Sequence, residues 1–572
     1  MPTVTQTDSR SWRTDWLCSP WFLALVVTLA NAAKPVLIDD TAYLTYARHF
    51  ASHPLDPYGF EMFWWTVPDS AMTVLVPPVL PYWLAANIAI FGEYPVLLKF
   101  WLFPFLFLLA WSLQALLRRF ARGTESRLLP LLMLSPAVLP TVNFMLDIPA
   151  LALGLTSIVA YMRATERRSW FLALAAGVIA GLAMQTKYTA LLVPPAMLWF
   201  GITHRSFRRA VVAVAVAGGV FVGWELLLVS KYGESHFLHH ASGRASRTIR
   251  ETVEDKLDLM SPLLGHIGCL AIGVGLVAAS AVGIPRQSLA ALGAVWAVGF
   301  LVIVFVPPRW GPTAVATFWH SFGFLVLSSL ALCGLLLLLR FRRRNPVRWN
   351  ADSLFIVGWV LLELVGYFAL TPFGAARRVI GVTLIGGLLA GRVLGRIERV
   401  RPYRKPPRWM LGFGITAAVA VTALDTFDAF PEKVCARRAA KVVAKEGTTG
   451  TVWTAGHWGF QYYCDQAGMK MLVPGKTVLQ PGDLLVLPRF PNEDELFRPH
   501  IGSVSVLPPA DSVEPISEIV WDDAITGQTI PNFYAGFNPV EGREHPRLRV
   551  VVYRVRQPWA VPGLHSIPAE LP

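Results

Sequence analysis

Charged side chains are scarce in this chain. Asp, Glu, Lys and Arg make up 15% of its 572 residues, against about a quarter in an average soluble domain. A shortage that deep excludes an ordinary water-soluble globule. Cysteine is scarce too: there are five, none in a metal-type spacing with histidine, which leaves no structural-zinc framework. Cys269 and Cys333 fall in apolar runs and Cys18 near the amino terminus. Cys435 and Cys464 lie in a polar tail and could pair only if that tail faces an oxidising compartment. The sequence has no Gly-rich phosphate loop, no Walker motif and no nucleophile elbow, which argues against a nucleotide-driven pump. No small-residue cleavage site leading into a soluble domain follows the first apolar run, so that run is expected to remain as an anchor.

Hydrophobic residues, by contrast, make up 54% of the chain, and mean hydropathy is +0.48. Several apolar runs reach the roughly 20 residues needed to cross a bilayer. The expected fold is mainly α: a polytopic membrane protein of about thirteen transmembrane helices, with a small carboxyl-terminal α/β domain outside the membrane. The expected spans are 21–38, 95–117, 128–144, 148–163, 170–186, 189–203, 210–230, 263–284, 288–306, 320–339, 353–370, 379–393 and 409–424. Residues 1–20 form a cytoplasmic amino terminus, 21–424 the membrane domain, and 425–572 the soluble tail. The net charge of +14 needs no nucleic acid, because arginine clusters between spans follow from the orientation rule for membrane proteins.

One apolar segment, 74–92, is expected not to span. It opens Val76-Pro77-Pro78 and carries Pro81, and paired prolines disrupt a helix interior. Laid along the outer surface, it leaves the basic loops consistent: 25 Lys and Arg fall inside, between Arg10 and Arg408, and fewer than half as many fall in the outer loops. The amino terminus is then cytoplasmic and the tail extracytoplasmic.

This orientation brings Asp39, Asp40, Asp147, Lys187, Arg309, Arg377 and Arg378 to one face. Asp39-Asp40 directly follow the first span in Ile38-Asp39-Asp40-Thr41-Ala42-Tyr43. Ionisable groups at a membrane edge are functional candidates, although Asp is also a common helix cap. A carboxylate there can serve as a general base, and a neighbouring acid tunes its affinity for the proton. Asp147, followed by Ile148-Pro149, combines the position of a cap with that of a site. Lys187, Arg309, Arg377 and Arg378 break the inside bias of the cations. Such cations serve to bind an anion, most simply a phosphate, or snorkel to lipid headgroups.

The outer loop 39–94 is rich in aromatics, and Trp64 and Trp65 read as an interfacial belt. The outer loop 231–262 carries His236, His239, His240, Arg244, Arg247 and Arg250; a solvated loop is its simpler account, ahead of a phosphate or metal site. In the tail, Glu432 to Lys445 predicts a helix, and 450–453, 484–487 and 548–555 predict strands. The aromatic run 453–463 suits either a ligand-facing surface or the domain's core, with core burial favoured.

These motifs in this order resemble the GT-C glycosyltransferases of the protein O-mannosyltransferase and aminoarabinose-transferase type, including related bacterial lipopolysaccharide sugar transferases. Asp39-Asp40-Thr-Ala-Tyr43 with Ala47-Arg48 is similar to their first outer-loop acidic motif. Val76-Pro77-Pro78 resembles their juxtamembrane segment, and Leu134-Ser135-Pro136 through Asp147 their second acidic loop. Gly181-Leu182-Ala183 to Lys187 and Ala376-Arg377-Arg378 resemble weaker patterns. The resemblance covers about residues 20–400. It implies inverting transfer of a hexosyl or pentosyl group from a polyprenyl-phosphate-linked donor to a lipid, glycan or protein hydroxyl, at the outer face of a bacterial inner membrane. Asp39 or Asp40 would be the base. Tyr43, Asp147, Lys187, Arg309, Arg377 and Arg378 would bind substrate. No cofactor is implied, while a divalent cation between the acids stays open. The competing reading is a transporter or lipid-linked sugar flippase. That would call for midplane charges and repeated halves, and neither is visible here.

Overall fold

The computed structural model describes residues 18–64, 67–242, 249–306, 311–344, 351–400, 408–447, 449–489, 508–543 and 546–563. Among these, eight helices are long and apolar enough to cross a membrane. A ninth crossing arises if Glu254–Leu270 and Ile272–Val282, bent by 85° at their junction, form one span. Four shorter apolar helices accompany them: Pro20–Ala32, Val79–Phe91, Trp170–Met184 and Tyr188–Thr203. The chain is a multi-pass membrane protein, mostly helical, with a small strand-containing carboxyl-terminal region.

Local chemistry sets several helix starts. Ser19 accepts a hydrogen bond from the Phe22 amide at 3.2 Å, with Pro20 opening the helix Pro20–Ala32, where its missing N–H costs nothing. Ser169 caps Trp170–Met184 in the same way. Small residues set one close helix pair. A Cβ placed on Gly177 would lie 2.4 Å from the Ala213 carbonyl, and one on Gly181 would lie 2.5 Å from Val220. Trp170–Met184 therefore packs backbone to backbone against Phe207–Tyr232, as small-residue stripes allow in membranes.

The expected span 128–144 is not a single helix. A nine-residue helix, Glu125–Met133, is followed by a buried irregular stretch with a short 3-10 turn at Leu139–Thr141. Pro130, Pro136 and Pro140 account for the break. The stretch still runs the length of its neighbour Ile380–Val400. Arg127 pairs with Glu398 near one end of that helix, and Asp147 lies beside Arg377 and Arg378 at the other. Val79–Phe91, expected to lie along the surface, is a 13-residue helix packed on Asp40–Ser52.

The last long apolar helix, Arg408–Asp428, passes after one residue into Phe430–Glu446. The tail then forms a five-stranded sheet in the order Lys470–Met471, Val452–Thr454, Leu484–Arg489, Leu548–Val555, Val513–Trp521. Its first two pairings are parallel and the rest antiparallel, with Val551 opposite Leu487. Phe430–Glu446 covers one face of this sheet. The expected helix and the expected strands 484–487 and 548–555 lie within these elements, and the expected strand 450–453 overlaps Val452–Thr454 at two residues.

Candidate active site

Three connections between helices meet at one end of the membrane domain: 33–39, 185–187 and 371–379. The first is strained. Ile38 has φ +47°, an uncommon conformation for a β-branched residue and one that costs on the order of 1–3 kcal/mol. The turn at Ile38 starts the helix Asp40–Ser52, and the two adjacent acids leave it in different directions, as neighbours on a helix must. Asp39 remains partly exposed and pairs with Arg377 at 2.5 Å. Asp40 is fully buried. Its carboxylate accepts from the Phe144 amide at 2.9 Å and the Leu37 amide at 3.4 Å. Burial pushes its pKa up to about 6, against the pull of Lys99 and Lys34. Of the two candidate bases, only Asp39 has access to the site; Asp40 ties the irregular segment 134–146 to the start of the helix.

Opposite Asp39, Asp147 forms an ion pair with Lys187. Burial draws the Lys187 pKa down to about 7; Arg378 and Arg377 act in the same direction, and Asp147 opposes them. Arg377 also donates to the Met145 sulfur at 3.4 Å. Arg378, half-buried, has no acid or hydrogen-bond partner among the described residues, and its Nε is buried without an acceptor. Burial and the adjacent Arg377 lower its pKa to about 10. Tyr43 is buried one helical turn beyond Asp39; burial, then the charge of Asp39, holds its phenol well above 10. Two acids and three cations thus meet, leaving one positive charge uncompensated. Arg309 lies outside the described residues.

A cavity of about 110 Å³ opens among these groups. Asp147, Lys187, Arg377 and Arg378 line its polar mouth. Its walls descend along Gly154 and Leu155 to Ile158, about 16 Å down the helix from Asp147 at 1.5 Å per residue, and include Trp359 of Ala351–Leu370. Glu363 and Tyr367 also line it, and Glu363 accepts from the Trp359 indole at 3.1 Å. Sequence reasoning missed Glu363, although a lone acid inside the apolar run 353–370 is itself a signal.

The tail holds two of the three connections. Thr41 donates to the Trp458 carbonyl at 2.7 Å, and the Val36 amide donates to the Tyr463 hydroxyl at 2.9 Å. The Ala376 amide donates to the Phe533 carbonyl at 2.8 Å, and the Gly536 amide to the Gly374 carbonyl at 2.9 Å. The aromatic run 453–463 is therefore neither exposed nor buried only within its own domain: its helix, Trp458–Gln466, docks on the outer loop. Trp64 belongs to that contact and not to a lipid belt. It is buried and meets the His457 ring edge-on at 4.4 Å; Trp65 lies outside the described residues. Arg48, from the acidic motif, bridges Glu93 at 2.5 Å and Asp465 at 3.1 Å.

One other expectation is corrected. His236 is not in a solvated loop: it is fully buried between the Tyr188 hydroxyl at 2.6 Å and the Val74 carbonyl at 3.1 Å. Burial, with His240 nearby, lowers its pKa to about 3, so it packs as a neutral ring. Arg244 and Arg247 lie outside the described residues. Cys435 and Cys464 are both free, buried thiols. No cluster of three or more His, Cys, Asp or Glu suited to a metal occurs among the described residues.

Residues 76–227 match the family model of dolichyl-phosphate-mannose-protein mannosyltransferase. The match covers about a quarter of the chain. The archaeal oligosaccharyltransferase AglB from Archaeoglobus fulgidus, in complex with an inhibitory peptide and a dolichol-phosphate, is similar at 13% identity and TM-score 0.45, over 81% of this chain and 61% of that one. The apo form of the A. fulgidus oligosaccharyltransferase is similar at 13% identity and TM-score 0.46, over 81% and 65%. ArnT from Cupriavidus metallidurans bound to undecaprenyl phosphate is similar at 15% identity and TM-score 0.37, over 83% and 93%. This chain spans less than two thirds of the length of the archaeal structures. No curated protein matches the sequence.

Proposed function

We propose that the protein transfers a sugar from a polyprenyl-phosphate-linked donor to a hydroxyl of a lipid, glycan or protein, with inversion, at the extracytoplasmic face of a bacterial inner membrane. The amino terminus is cytoplasmic and the tail, from about residue 425, extracytoplasmic. The observation that carries the proposal is Arg378, a cation without an acid partner at the mouth of a cavity that leads down apolar helix faces. A lipid phosphate needs both features: positive charge for its headgroup and a groove for its tail.

The acceptor oxygen attacks the anomeric carbon while the bond from that carbon to the phosphate oxygen breaks. Asp39 takes the acceptor proton, and polyprenyl phosphate leaves with the bonding electrons. Negative charge grows on the leaving oxygen, where Arg378 and Lys187 face it. Such preorganised stabilisation is usually the largest catalytic contribution. Asp147 holds Lys187 in place, and Arg377 orients Asp39. Tyr43 lines the acceptor side. Both site carboxylates face cations, so a divalent metal has no role in this scheme, and chelator treatment leaves the rate unchanged.

The test incubates the purified protein with a panel of polyprenyl-phosphate sugars and measures free polyprenyl phosphate. Release is expected with at least one donor and falls by about 10²–10⁴ in Asp39→Asn, the usual contribution of a positioned base. Asp40→Asn reports instead on folding. Full activity in folded Asp39→Asn overturns the assignment of the base; no release from any donor overturns the proposed function.

A further inference from the structure

At the opposite end of the same helices lies a second cavity, of about 330 Å³. It sits between the last turns of Phe103–Phe120 and Asp147–Glu166. Asp147 opens the second helix at the candidate active site and Glu166 closes it here, so the two mouths lie about 28 Å apart at 1.5 Å per residue. Trp111, Val159 and Met162 form the apolar wall, and Gln114, Arg118, Arg119, Arg163 and Glu166 the polar one.

The cations of this cavity are not equivalent. Arg119 is already committed, to Glu166 and to Asp352 at 3.1 Å. Arg118 and Arg163 are exposed and have no acid partner among the described residues. The Arg163 guanidinium lies 4.7 Å from the Trp111 ring centroid, which holds its planar donors at the rim. Cations at carboxyl-terminal helix ends also answer the helix dipole. The dipole does not account for a cavity with one greasy wall and two unpaired arginines at the depth where a spanning helix leaves the hydrocarbon.

We propose that this cavity binds the phosphate of an anionic glycerophospholipid from the leaflet opposite the active site, with Arg118 and Arg163 on the phosphate and the acyl chains along Val159 and Met162. Basic pockets between helix ends recognise headgroups in this way, and arginine does so with paired donors.

The experiment measures lipid binding to the detergent-purified full-length chain by native mass spectrometry, comparing phosphatidylglycerol with phosphatidylcholine. Phosphatidylglycerol is expected to bind about tenfold more tightly, and Arg118→Gln with Arg163→Gln to remove that preference. Arg205→Gln with Arg208→Gln, exposed cations before and at the start of the helix Phe207–Tyr232 that do not line the cavity, is expected to retain it. Equal binding of the two lipids overturns the proposal. So does equal loss in the control pair, which would mean surface charge alone. Displacement of the lipid by millimolar inorganic phosphate would assign the cavity to a soluble anion and overturn the lipid assignment. A conservative pair, Arg118→Lys with Arg163→Lys, controls for folding; retained preference in it together with loss in the Gln pair supports the site.

Discussion

Two buried charge assemblies lie side by side in this protein, one open and one closed. The open one joins Asp147, Lys187, Arg377 and Arg378 at the mouth of a cavity, with Asp39 paired to Arg377 beside them and one cation in excess. The closed one pairs Lys34 with Asp425. The Tyr534 hydroxyl donates to Asp425 at 2.9 Å and accepts from Lys34 at 3.0 Å and Asn143 at 3.2 Å. Lys99 donates to Asn143 at 3.1 Å, close to Asp40. Here two cations balance two acids, the hydrogen-bonding partners come from the chain itself, and the groups are sealed from solvent. Both assemblies bear the cost of taking charge out of water. Only the open one leaves positive charge for a ligand to neutralise, so excess charge, and not burial, separates a binding site from a structural tie.

That comparison breaks at its closed end first. Asp425→Ala strands Lys34 in the interior and is expected to cost about 3–5 kcal/mol, seen as lost yield and a lower unfolding temperature. In the open assembly the order of effects reverses. Arg378→Gln removes a cation that has no partner in the resting protein, so it lowers turnover by about 10²–10³ with little change in unfolding temperature. If Arg378→Gln destabilises the fold as much as Asp425→Ala does, the distinction fails. Next in size is the pH response. Burial lowers the Lys187 pKa, so its charge is present below about pH 7 and is lost as pH rises through that value. Donor kcat/KM should therefore fall by up to about tenfold per pH unit above neutrality. Lys187→Arg, protonated throughout that range, should flatten the profile. Smallest is Tyr463→Phe, which removes one hydrogen bond between tail and site at Val36. A few-fold loss of turnover and about 1 kcal/mol of stability are expected, measurable by kinetics and thermal melts.

The charged rim was legible from sequence because each member ends an apolar run, where a charge is conspicuous. Twelve of the thirteen expected spans coincide with helices of the long, bent or short apolar sets. The exception, 128–144, has enough apolar residues for a span but too many prolines for a helix. What sequence could not reveal was direction and distance. Asp39 and Asp40 are identical side chains one residue apart, and only the turn at Ile38 separates their roles. His236 sits in a run of polar residues and is nevertheless buried, because helix His236–Ser242 folds back onto Tyr188 and Val74. The docking of Trp458 and Tyr463 onto 36–41 joins positions more than 400 residues apart, and no local pattern announces such a contact.

The two tail segments that hold the site have a consequence for how the protein comes into being. Phe533, whose carbonyl receives the Ala376 amide, lies 105 residues after Asp428, where the last long apolar helix ends. A ribosome that has inserted every apolar helix has still not delivered the residues that fix the arginine pair. A stop codon placed between the final crossing and Phe533 is therefore expected to yield a membrane-inserted product whose arginine pair is not held in place.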